Sequence, residues 1–510
     1  MILLDGHTLD LDGLTAIAAG RVTVGLAAPA VARVRRARAV VDRHAAGTEA
    51  VYGINTGFGS LAEVAIARDK LGALQVNLLR SHASGVGEPL PVPAVRATMA
   101  LRANVLAKGF SGIRLETLQA LVDALNAGVH PRVPSRGSVG ASGDLAPLAH
   151  LALVLIGEGE AIAADGSTIP GAEALRRAGL TPVSLEAKEG LALINGTQPS
   201  AALLGLSVAA SARLADGADL AAALSIDALK GSIKPFDARI HDARGFEGQS
   251  RSAANIRALL EGSGINASHA HCGRVQDAYS LRCAAQVHGA ARDAIAFARR
   301  AAETEANAAT DNPMVFIDEG GPDDSGDIVS GGNFHGAPVA MAADLLAIGL
   351  AHLATISERR TDRLMNPVLS GLPPFLTRDS GLHSGYMMAQ VAAAALTSEL
   401  KTLAHPASVD TIPTSASRED HVSMSMGAGL KCVRAVELAT NVIAIEILCA
   451  CQAIDLLAPL ETSPRLTAMH ARVRARVAPL EGDRPPSPDI ETIAELIADG
   501  GLAILDPLSH

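Results

Sequence analysis

The feature that most constrains the fold of this 510-residue chain is an apolar content that is large but nearly free of aromatic side chains. Hydrophobic residues make up 48% of the sequence and aromatic residues 2%, with no Trp and three Tyr. The core must therefore be built mainly from Ala, Leu, Val and Ile, a mixture that suits closely packed helices. Ala-rich runs at residues 200–224, 284–309 and 340–353 are apolar on most sides and predict buried helices of a bundle or a subunit interface.

A further helix is predicted near the C-terminus by the spacing of three isoleucines. Ile490, Ile493 and Ile497 recur every three or four residues and so share one helical face. Ser487 precedes them as a candidate N-cap, and Gly500 follows as a helix-ending residue. The pattern predicts an amphipathic helix between these two signals.

Turn-forming residues predict one hairpin and several loops. Residues 160–163 and 167–169 flank an Asp-Gly pair, which predicts a β-hairpin. Stretches rich in Gly, Pro and polar residues at 52–60, 320–333 and 370–384 are interpreted as loops. Strands are therefore expected to be short and few.

Charge and cysteine usage exclude several classes of function. The formal charge is −10 and there are no long basic runs, which argues against nucleic acid or an anionic membrane surface as a partner. Five cysteines without a C-x-x-C pair predict buried thiols in a reducing cytosol. We find no signal-peptide pattern, and the most apolar windows carry charges, so we expect a cytoplasmic protein without a transmembrane helix.

The most informative segment is residues 137–150, GSVGASGDLAPLAH. It lacks the Lys of a phosphate-binding loop, the glycine spacing of a dinucleotide loop and the Gly-x-Ser-x-Gly of a hydrolase. Two interpretations remain, an ordinary Gly/Ser turn before a helix and self-cyclisation of Ala141-Ser142-Gly143. In the second, the Gly143 nitrogen attacks the Ala141 carbonyl carbon with loss of water, and Ser142 then loses its hydroxyl as a second water. Glycine permits this approach because it has no Cβ.

The product would be a 4-methylidene-imidazol-5-one, an electrophile made from the chain without an external cofactor. Residues 137–150 resemble the signature of the aromatic amino acid ammonia-lyases and aminomutases, which use this group. Nine further blocks resemble the same family in the same order, at residues 52–59, 77–87, 189–198, 235–245, 275–283, 305–313, 331–338, 372–376 and 419–424. Within the family the chain is most similar to members that deaminate histidine.

The resemblance implies a mainly α fold with a long central helix bundle, related to fumarase and aspartase, and small β-hairpins near the N-terminal part. Residues 1–200 would carry the cyclising segment and the catalytic tyrosine, and residues 201–510 would form the bundle and the C-terminal helices. It also implies a homotetramer in which three subunits build each site.

The resemblance further assigns catalytic and binding roles. Tyr52 is implied as the base that removes the substrate's β-proton, and free Tyr has a pKa of about 10, so a nearby positive charge must help it ionise. Asn195 is implied beside the electrophile and the substrate amine. Arg282 is implied to bind the substrate carboxylate through a bidentate fork, together with Gln276 and Tyr279, of which Tyr279 is catalytic.

Four residues are implied to shape the substrate pocket. Phe334 forms a wall near the prosthetic group, and Met387 is a further pocket residue. His82 and Glu419 are the polar partners that an imidazole ring needs, which indicates L-histidine as substrate and trans-urocanate and ammonia as products. Arg418, directly before Glu419, departs from the family pattern.

Other functions stay open at this stage. An aminomutase would return the amine to the β-carbon, and a tyrosine or phenylalanine lyase would share most of the site, although Glu419 argues against it. Ala337 is a second departure, where some histidine lyases carry Glu or Gln. A non-catalytic helical scaffold is disfavoured by the intact residues 141–143. His269, His271 and Cys272 cluster, but without the second half of a zinc site, so no metal is expected.

Overall fold

A computed structural model describes residues 1–47, 49–57, 64, 66–270, 272–273 and 275–504. About 59% of the chain is helical, and the predicted mainly α fold is confirmed. The α-helices are Leu11–Ala18, Ala28–Ala46, Leu71–His82, Val92–Ala107, Leu115–Asn126, Leu145–Leu155, Gly171–Arg177, Glu189–Ile194, Gln198–Ala228, Ala238–Asp242, Glu247–Leu260, Gly264–Ala267, Tyr279–Arg282, Ala284–Ala306, Ala337–Met365, Pro367–Ser370, Met387–Leu403, Ser425–Leu456, Pro464–Arg474 and Ser487–Ala498. Short 3-10 helices are Arg68–Lys70, Lys234–Phe236, Pro374–Leu376 and Ser415–Ser417.

The Ala-rich runs form long helices, as predicted. They lie within Gln198–Ala228, Ala284–Ala306 and Ala337–Met365, although the second ends three residues before the predicted run does. By length and composition, the first and third could cross a membrane, but 72% and 67% of their most apolar windows are buried inside the protein. Buried core helices have the same composition. A fourth long helix, Ser425–Leu456, was not predicted.

The strands form small sheets, and one of them corrects a predicted loop. Ile2–Leu4 pairs in parallel with Val24–Leu26, and Val86–Pro89 pairs antiparallel with Pro134–Arg136. The predicted hairpin is confirmed by antiparallel pairing of Glu160–Ile162 with Thr168–Pro170, and His130–Pro131 joins the same sheet. The loop predicted at 320–333 is wrong in part, because its residues Gly326–Val329 pair antiparallel with Met314–Ile317. Backbone hydrogen bonds between these two strands stabilise the segment as a strand, although its composition is typical of a loop.

The C-terminal helix has the predicted face but not the predicted cap. It spans Ser487–Ala498, with Ile493 and Ile497 buried. The predicted Ser487 cap is wrong, because Ser487 is already the first helical residue and the N-cap position is Pro486, which has no side-chain hydrogen bond. A proline ring fixes φ near the helical value, and the helix begins one residue earlier than the serine signal suggests.

The chain divides into two compact units, each assembled from three segments. The first comprises Met1–Ala209, Arg299–Asp344 and Pro406–Leu430, and contains every strand found in the described residues. One of its apolar clusters includes Val40, Ile54 and Val315, and so anchors the turn that follows Tyr52.

The second unit comprises Ala210–Ala298, Leu345–His405 and Lys431–His510, with its last six residues outside the described part. Its buried interior contains ion pairs. Arg360 donates two hydrogen bonds to Glu446, at 2.5 and 2.8 Å, and Ser225 also donates to Glu446. His288 lies 2.7 Å from Asp219, so the buried carboxylates of Glu446 and Asp219 both have partners.

Candidate active site

The segment at residues 137–150 folds as a Gly-rich turn that leads into the helix Leu145–Leu155. Gly140 and Gly143 have φ values of +67° and +69°, which favour glycine. A Cβ on Gly140 would lie 2.3 Å from the hydroxyl oxygen of Ser423, and a Cβ on Gly143 would lie 2.2 Å from the carbonyl oxygen of Gly196. Glycine is therefore required at both positions, because the backbone is left-handed and a Cβ would collide with neighbouring atoms.

Asp144 fixes the end of this turn and was missed by the sequence analysis. Its backbone N–H donates to the carbonyl of Gly196 at 2.8 Å. Its buried carboxylate accepts from the Ser138 hydroxyl at 2.6 Å and from the Ser200 N–H at 2.9 Å. Burial raises the pKa of Asp144, and these hydrogen bonds oppose the rise. Its position directly after residues 141–143 was the signal available in the sequence.

Asn195 contacts the central residue of residues 141–143. Its side-chain N–H donates to the Ser142 carbonyl oxygen at 3.1 Å. Its side-chain oxygen is buried and has no hydrogen-bond partner among the described residues. An unpaired buried acceptor is costly, so this oxygen is suited to a ligand N–H.

A buried arginine supports Asn195 from below. Arg102 donates to the backbone carbonyl of Asn195 at 2.7 Å and to the side chain of Gln198 at 2.8 Å, and it also bonds the carbonyl of Ala192. Burial lowers the pKa of Arg102 to about 10, while the charge of Asp311 opposes this change. We call residues 142–144, residues 195–196 and Arg102 the floor of the site.

Lys188, also fully buried, approaches Asp311 to 3.4 Å. Burial lowers the pKa of Lys188, and Asp311 again opposes the change. Two cations thus share one nearby carboxylate beneath the floor. Neither Arg102 nor Lys188 was predicted from the sequence.

Glu419 contacts the side chain of the same serine. The Ser142 hydroxyl donates to Glu419 Oε1 at 3.1 Å. Glu419 Oε2 accepts from the Thr414 hydroxyl at 2.6 Å and from the Ser415 hydroxyl at 3.1 Å. The carboxylate therefore receives three hydroxyl hydrogen bonds, two of them on one oxygen.

The turn that carries Glu419, residues 414–419, is named the rim turn. Ser415, Ala416 and Ser417 have φ values of +51°, +54° and +64°. Left-handed backbone costs roughly 1–2 kcal/mol for each residue with a Cβ. The turn is held by two backbone hydrogen bonds between Thr414 and Glu419, at 2.9 and 3.4 Å. Such strain persists only where the surrounding contacts impose it.

Two cavities meet at Ser142 and Glu419. One, of about 610 Å³, is lined by Tyr52, Asn195, Phe334 and Arg418. The other, of about 290 Å³, is lined by His82 together with residues of the 137–146 segment and the rim turn. Ala141, Ser142, Ser415 and Glu419 line both. The structure therefore brings together the predicted Tyr52, His82, Ala141, Ser142, Gly143, Asn195, Phe334 and Glu419 around one pair of cavities.

His82 has one of its two ring nitrogens already engaged. Its Nδ1 lies 2.9 Å from the Leu78 carbonyl and 3.0 Å from the Ser81 hydroxyl. A proton on Nδ1 satisfies the carbonyl and leaves Nε2 as an acceptor. Burial lowers the pKa of His82, while the Leu78 carbonyl and the charge of Glu419 oppose the change.

The remaining predicted site residues belong to the second unit. Tyr279 and Arg282 form one short helix, and the Arg282 guanidinium lies 4.7 Å from the centre of the Tyr279 ring. Arg282 Nε is buried and has no hydrogen-bond partner among the described residues. Gln276 is exposed, and Met387 begins the helix Met387–Leu403.

No metal-binding group is found among the described residues, counting sets of three or more His, Cys, Asp or Glu side chains. His269 directs its Nδ1 to the Ile265 carbonyl at 3.0 Å. Cys272 is exposed. His271 and residues 58–60 of the predicted 52–60 loop lie outside the described residues.

Comparisons with known proteins agree on one family. The family model described as aromatic amino acid lyase matches residues 9–475. A histidine ammonia-lyase of Anaeromyxobacter sp. (strain K) is 58% identical over 99% of both chains. The crystal structure of histidine ammonia-lyase from Trypanosoma cruzi has a TM-score of 0.90 and 45% identity, covering 98% of this chain and 94% of that one. A tyrosine aminomutase from Streptomyces globisporus has a TM-score of 0.92 and 38% identity, covering 98% and 97%.

Proposed function

Because the chain belongs to the aromatic amino acid lyase family, we propose that it eliminates ammonia from L-histidine to give trans-urocanate. The observation that carries the proposal is the convergence on Ser142, whose carbonyl is bound by Asn195 and whose hydroxyl is bound by Glu419, each at 3.1 Å. This convergence lies where the cavities lined by Tyr52 and by His82 meet. The relatives named histidine ammonia-lyase support the same substrate.

Residues 141–143 fit the 4-methylidene-imidazol-5-one that we propose they form. Gly143 has no room for a side chain, the Ser142 hydroxyl is the group to be lost, and Asn195 already holds the Ser142 carbonyl. The unpartnered Asn195 oxygen faces this region and suits a substrate ammonium. Once formed, the group supplies an electrophile that makes the amine a better leaving group.

The chain's own residues then bind the substrate and move one proton. Tyr52 lines the larger cavity with Ser142 and Asn195, and we assign it the removal of the β-proton. Arg418 lines the same cavity and adds a positive charge next to Glu419 in the chain. Phe334 closes one wall of the cavity against water.

The imidazole ring is assigned to His82 and Glu419. Glu419 presents a carboxylate that accepts the N–H of the imidazole, and His82 Nε2 accepts the second N–H that the ring carries when it is protonated. A site built to bond ring nitrogens rejects a phenyl ring, which would leave these groups unpaired. Glu419 is therefore the residue that favours histidine over phenylalanine.

The carboxylate of the substrate is assigned to Arg282, with Gln276, Tyr279 and Met387 as further contributors. We propose that these residues act in a homotetramer whose sites combine three subunits. Two observations support Arg282 as the residue that binds the carboxylate. Its Nε has no hydrogen-bond partner among the described residues, and its guanidinium lies over the Tyr279 ring. We also propose a cytoplasmic location.

A 2,3-aminomutase is the second candidate, because the tyrosine aminomutase structure matches this backbone with a TM-score of 0.92. Both activities need the same electrophile and base. They differ in whether the amine leaves or returns to the β-carbon, so the products separate them.

The test is ultraviolet absorbance with L-histidine, L-tyrosine and L-phenylalanine in parallel, with ammonia and β-amino acids assayed in the same samples. The proposal expects absorbance and stoichiometric ammonia with histidine only. A β-amino acid without ammonia would replace it with the aminomutase. Intact mass should be lower than the sequence mass by two water molecules, and an unchanged mass would refute the cyclisation.

A further inference from the structure

The two oxygens of the Glu419 carboxylate have different surroundings. Oε2 accepts two hydrogen bonds, from Thr414 at 2.6 Å and from Ser415 at 3.1 Å. Oε1 accepts one, from the Ser142 hydroxyl at 3.1 Å. In the proposed maturation that hydroxyl leaves as water, so Oε1 alone becomes vacant while Oε2 stays occupied.

We propose that Thr414 and Ser415 are positioning residues that reserve Oε2 and thereby leave Oε1 as the one Glu419 oxygen that accepts the substrate's ring N–H. The inference rests on the proposed function and adds to it two residues that determine ring specificity. The ligand class it selects is a planar heteroaromatic ring with an N–H donor. A phenyl ring has no such donor, and so gains nothing from an oriented acceptor.

The hydroxyls are needed because a carboxylate does not orient itself. The last torsion of a glutamate side chain is broad and roughly two-fold, so either oxygen could turn towards the cavity. Hydrogen bonds to an ionised acceptor are about twice as strong as neutral ones. Two of them on Oε2 therefore fix the plane of the carboxylate and the identity of the outward oxygen.

The strained backbone of the rim turn places these hydroxyls. Thr414 pairs with Glu419 through backbone hydrogen bonds, which brings its side chain alongside the carboxylate. The left-handed φ of Ser415 begins a reversal over Ala416 and Ser417 that lets two successive hydroxyls reach one oxygen. An extended chain would direct successive side chains to opposite sides.

The test compares Thr414→Val with Thr414→Ser. Valine keeps the shape but removes the hydroxyl, whereas serine keeps the hydroxyl. With L-histidine, we expect Thr414→Val to raise KM about tenfold to a hundredfold, the effect of one hydrogen bond to a charged group, with a smaller change in kcat. Thr414→Ser should stay close to wild type, and intact mass should show full loss of two waters in both variants.

Inhibition provides the readout that a structural defect would not produce. trans-Urocanate carries a ring N–H, whereas trans-cinnamate has the same acrylate on a phenyl ring. The inhibition constant of urocanate should rise in Thr414→Val with that of cinnamate unchanged. Equal weakening of both inhibitors, or a wild-type KM in Thr414→Val, would overturn the positioning role.

If Thr414→Val does not lose the two waters, Ser415→Ala tests the positioning role instead. Ser415 is exposed and its bond to Oε2 is longer, so this variant should fold and raise KM for histidine by a smaller factor. No change in KM would refute the inference. A wild-type protein that matures but does not deaminate histidine would instead refute the proposed function, which keeps the two failures distinct.

Discussion

The floor and the rim turn contact Ser142 by different means: Asn195 of the floor binds its carbonyl oxygen, and Glu419 of the rim turn accepts from its hydroxyl. The floor is buried and relaxed, with backbone contacts between glycines and a guanidinium below them. The rim turn is largely exposed, adopts left-handed backbone without glycine and is held by hydroxyl groups. In the function that we propose, the floor serves the elimination chemistry, whereas the rim turn serves the choice of ring. Under that proposal, buried backbone contacts hold the reacting group, and hydroxyl hydrogen bonds orient the carboxylate that selects the ring.

The largest effect is expected at the point that both regions share. Ser142→Ala removes the hydroxyl that must leave, so activity should fall to background while the fold remains. Intact mass should then equal the sequence mass, and circular dichroism should match wild type. Ser415→Ala, a serine of the rim turn, is the control and should keep the mass loss. Substantial activity in Ser142→Ala would remove the basis for the proposed mechanism.

The floor should respond to loss of its buried cation. Arg102→Met leaves the carbonyls of Asn195 and Ala192 unpaired and should lower the free energy of unfolding by about 3–5 kcal/mol. Urea unfolding measures this, and intact mass reports whether maturation still occurs. Arg80→Met, which breaks only the exposed pair with Glu158, should change little. Equal stability of the two variants would show that the floor does not depend on Arg102.

His82 should make the free energy of unfolding depend on pH. Because burial lowers the pKa of His82, the unfolded chain binds its proton more readily. The ordinary pKa of histidine is about 6.5, so His82 lowers the free energy of unfolding as the pH falls below that value. The difference in unfolding free energy between wild type and His82→Gln should shift in favour of the variant between pH 7 and 5. A difference that is constant with pH would contradict this assignment.

The smallest effect is expected from relaxing the rim turn. Ala416→Gly removes the Cβ penalty at φ +54° but increases the freedom of the unfolded chain, so stability should change by less than about 1 kcal/mol. KM for histidine should rise slightly because the Thr414 and Ser415 hydroxyls become less fixed. The same exchange at Ala83, where φ is −75°, provides a comparison outside the left-handed region. A large loss of stability in Ala416→Gly would show that the turn is not strained.

The sequence predicted three of the four long helices in the described residues, because alanine-rich runs without aromatic residues have few other ways to form a core, and it missed Ser425–Leu456. It failed where hydrogen bonds between strands determine the local structure. Gly326–Val329 has the composition of a loop, but it forms a strand because it pairs with Met314–Ile317. The same limit applies to the Ser487 cap, where one proline moved the boundary by a residue.

In the site, resemblance supplied Tyr52, Asn195 and Glu419, which the structure brings around Ser142. It did not supply Arg102, because its partner Asn195 lies 93 residues away. The available signal was an arginine inside Val92–Ala107, a helix that is buried on nearly every side. A charged residue in such a helix must bind something, but the sequence does not say what.

The contact between Gly143 and Gly196 has a consequence for how the protein can be studied. These residues are 53 positions apart, and no side chain fits between their backbones. The segment that we propose to cyclise is therefore shaped only after distant parts of the first unit have assembled. The loss of two waters would act as an irreversible chemical record that a given molecule has once been folded. Mass spectrometry of denatured protein could then count, molecule by molecule, the fraction that had reached the native state.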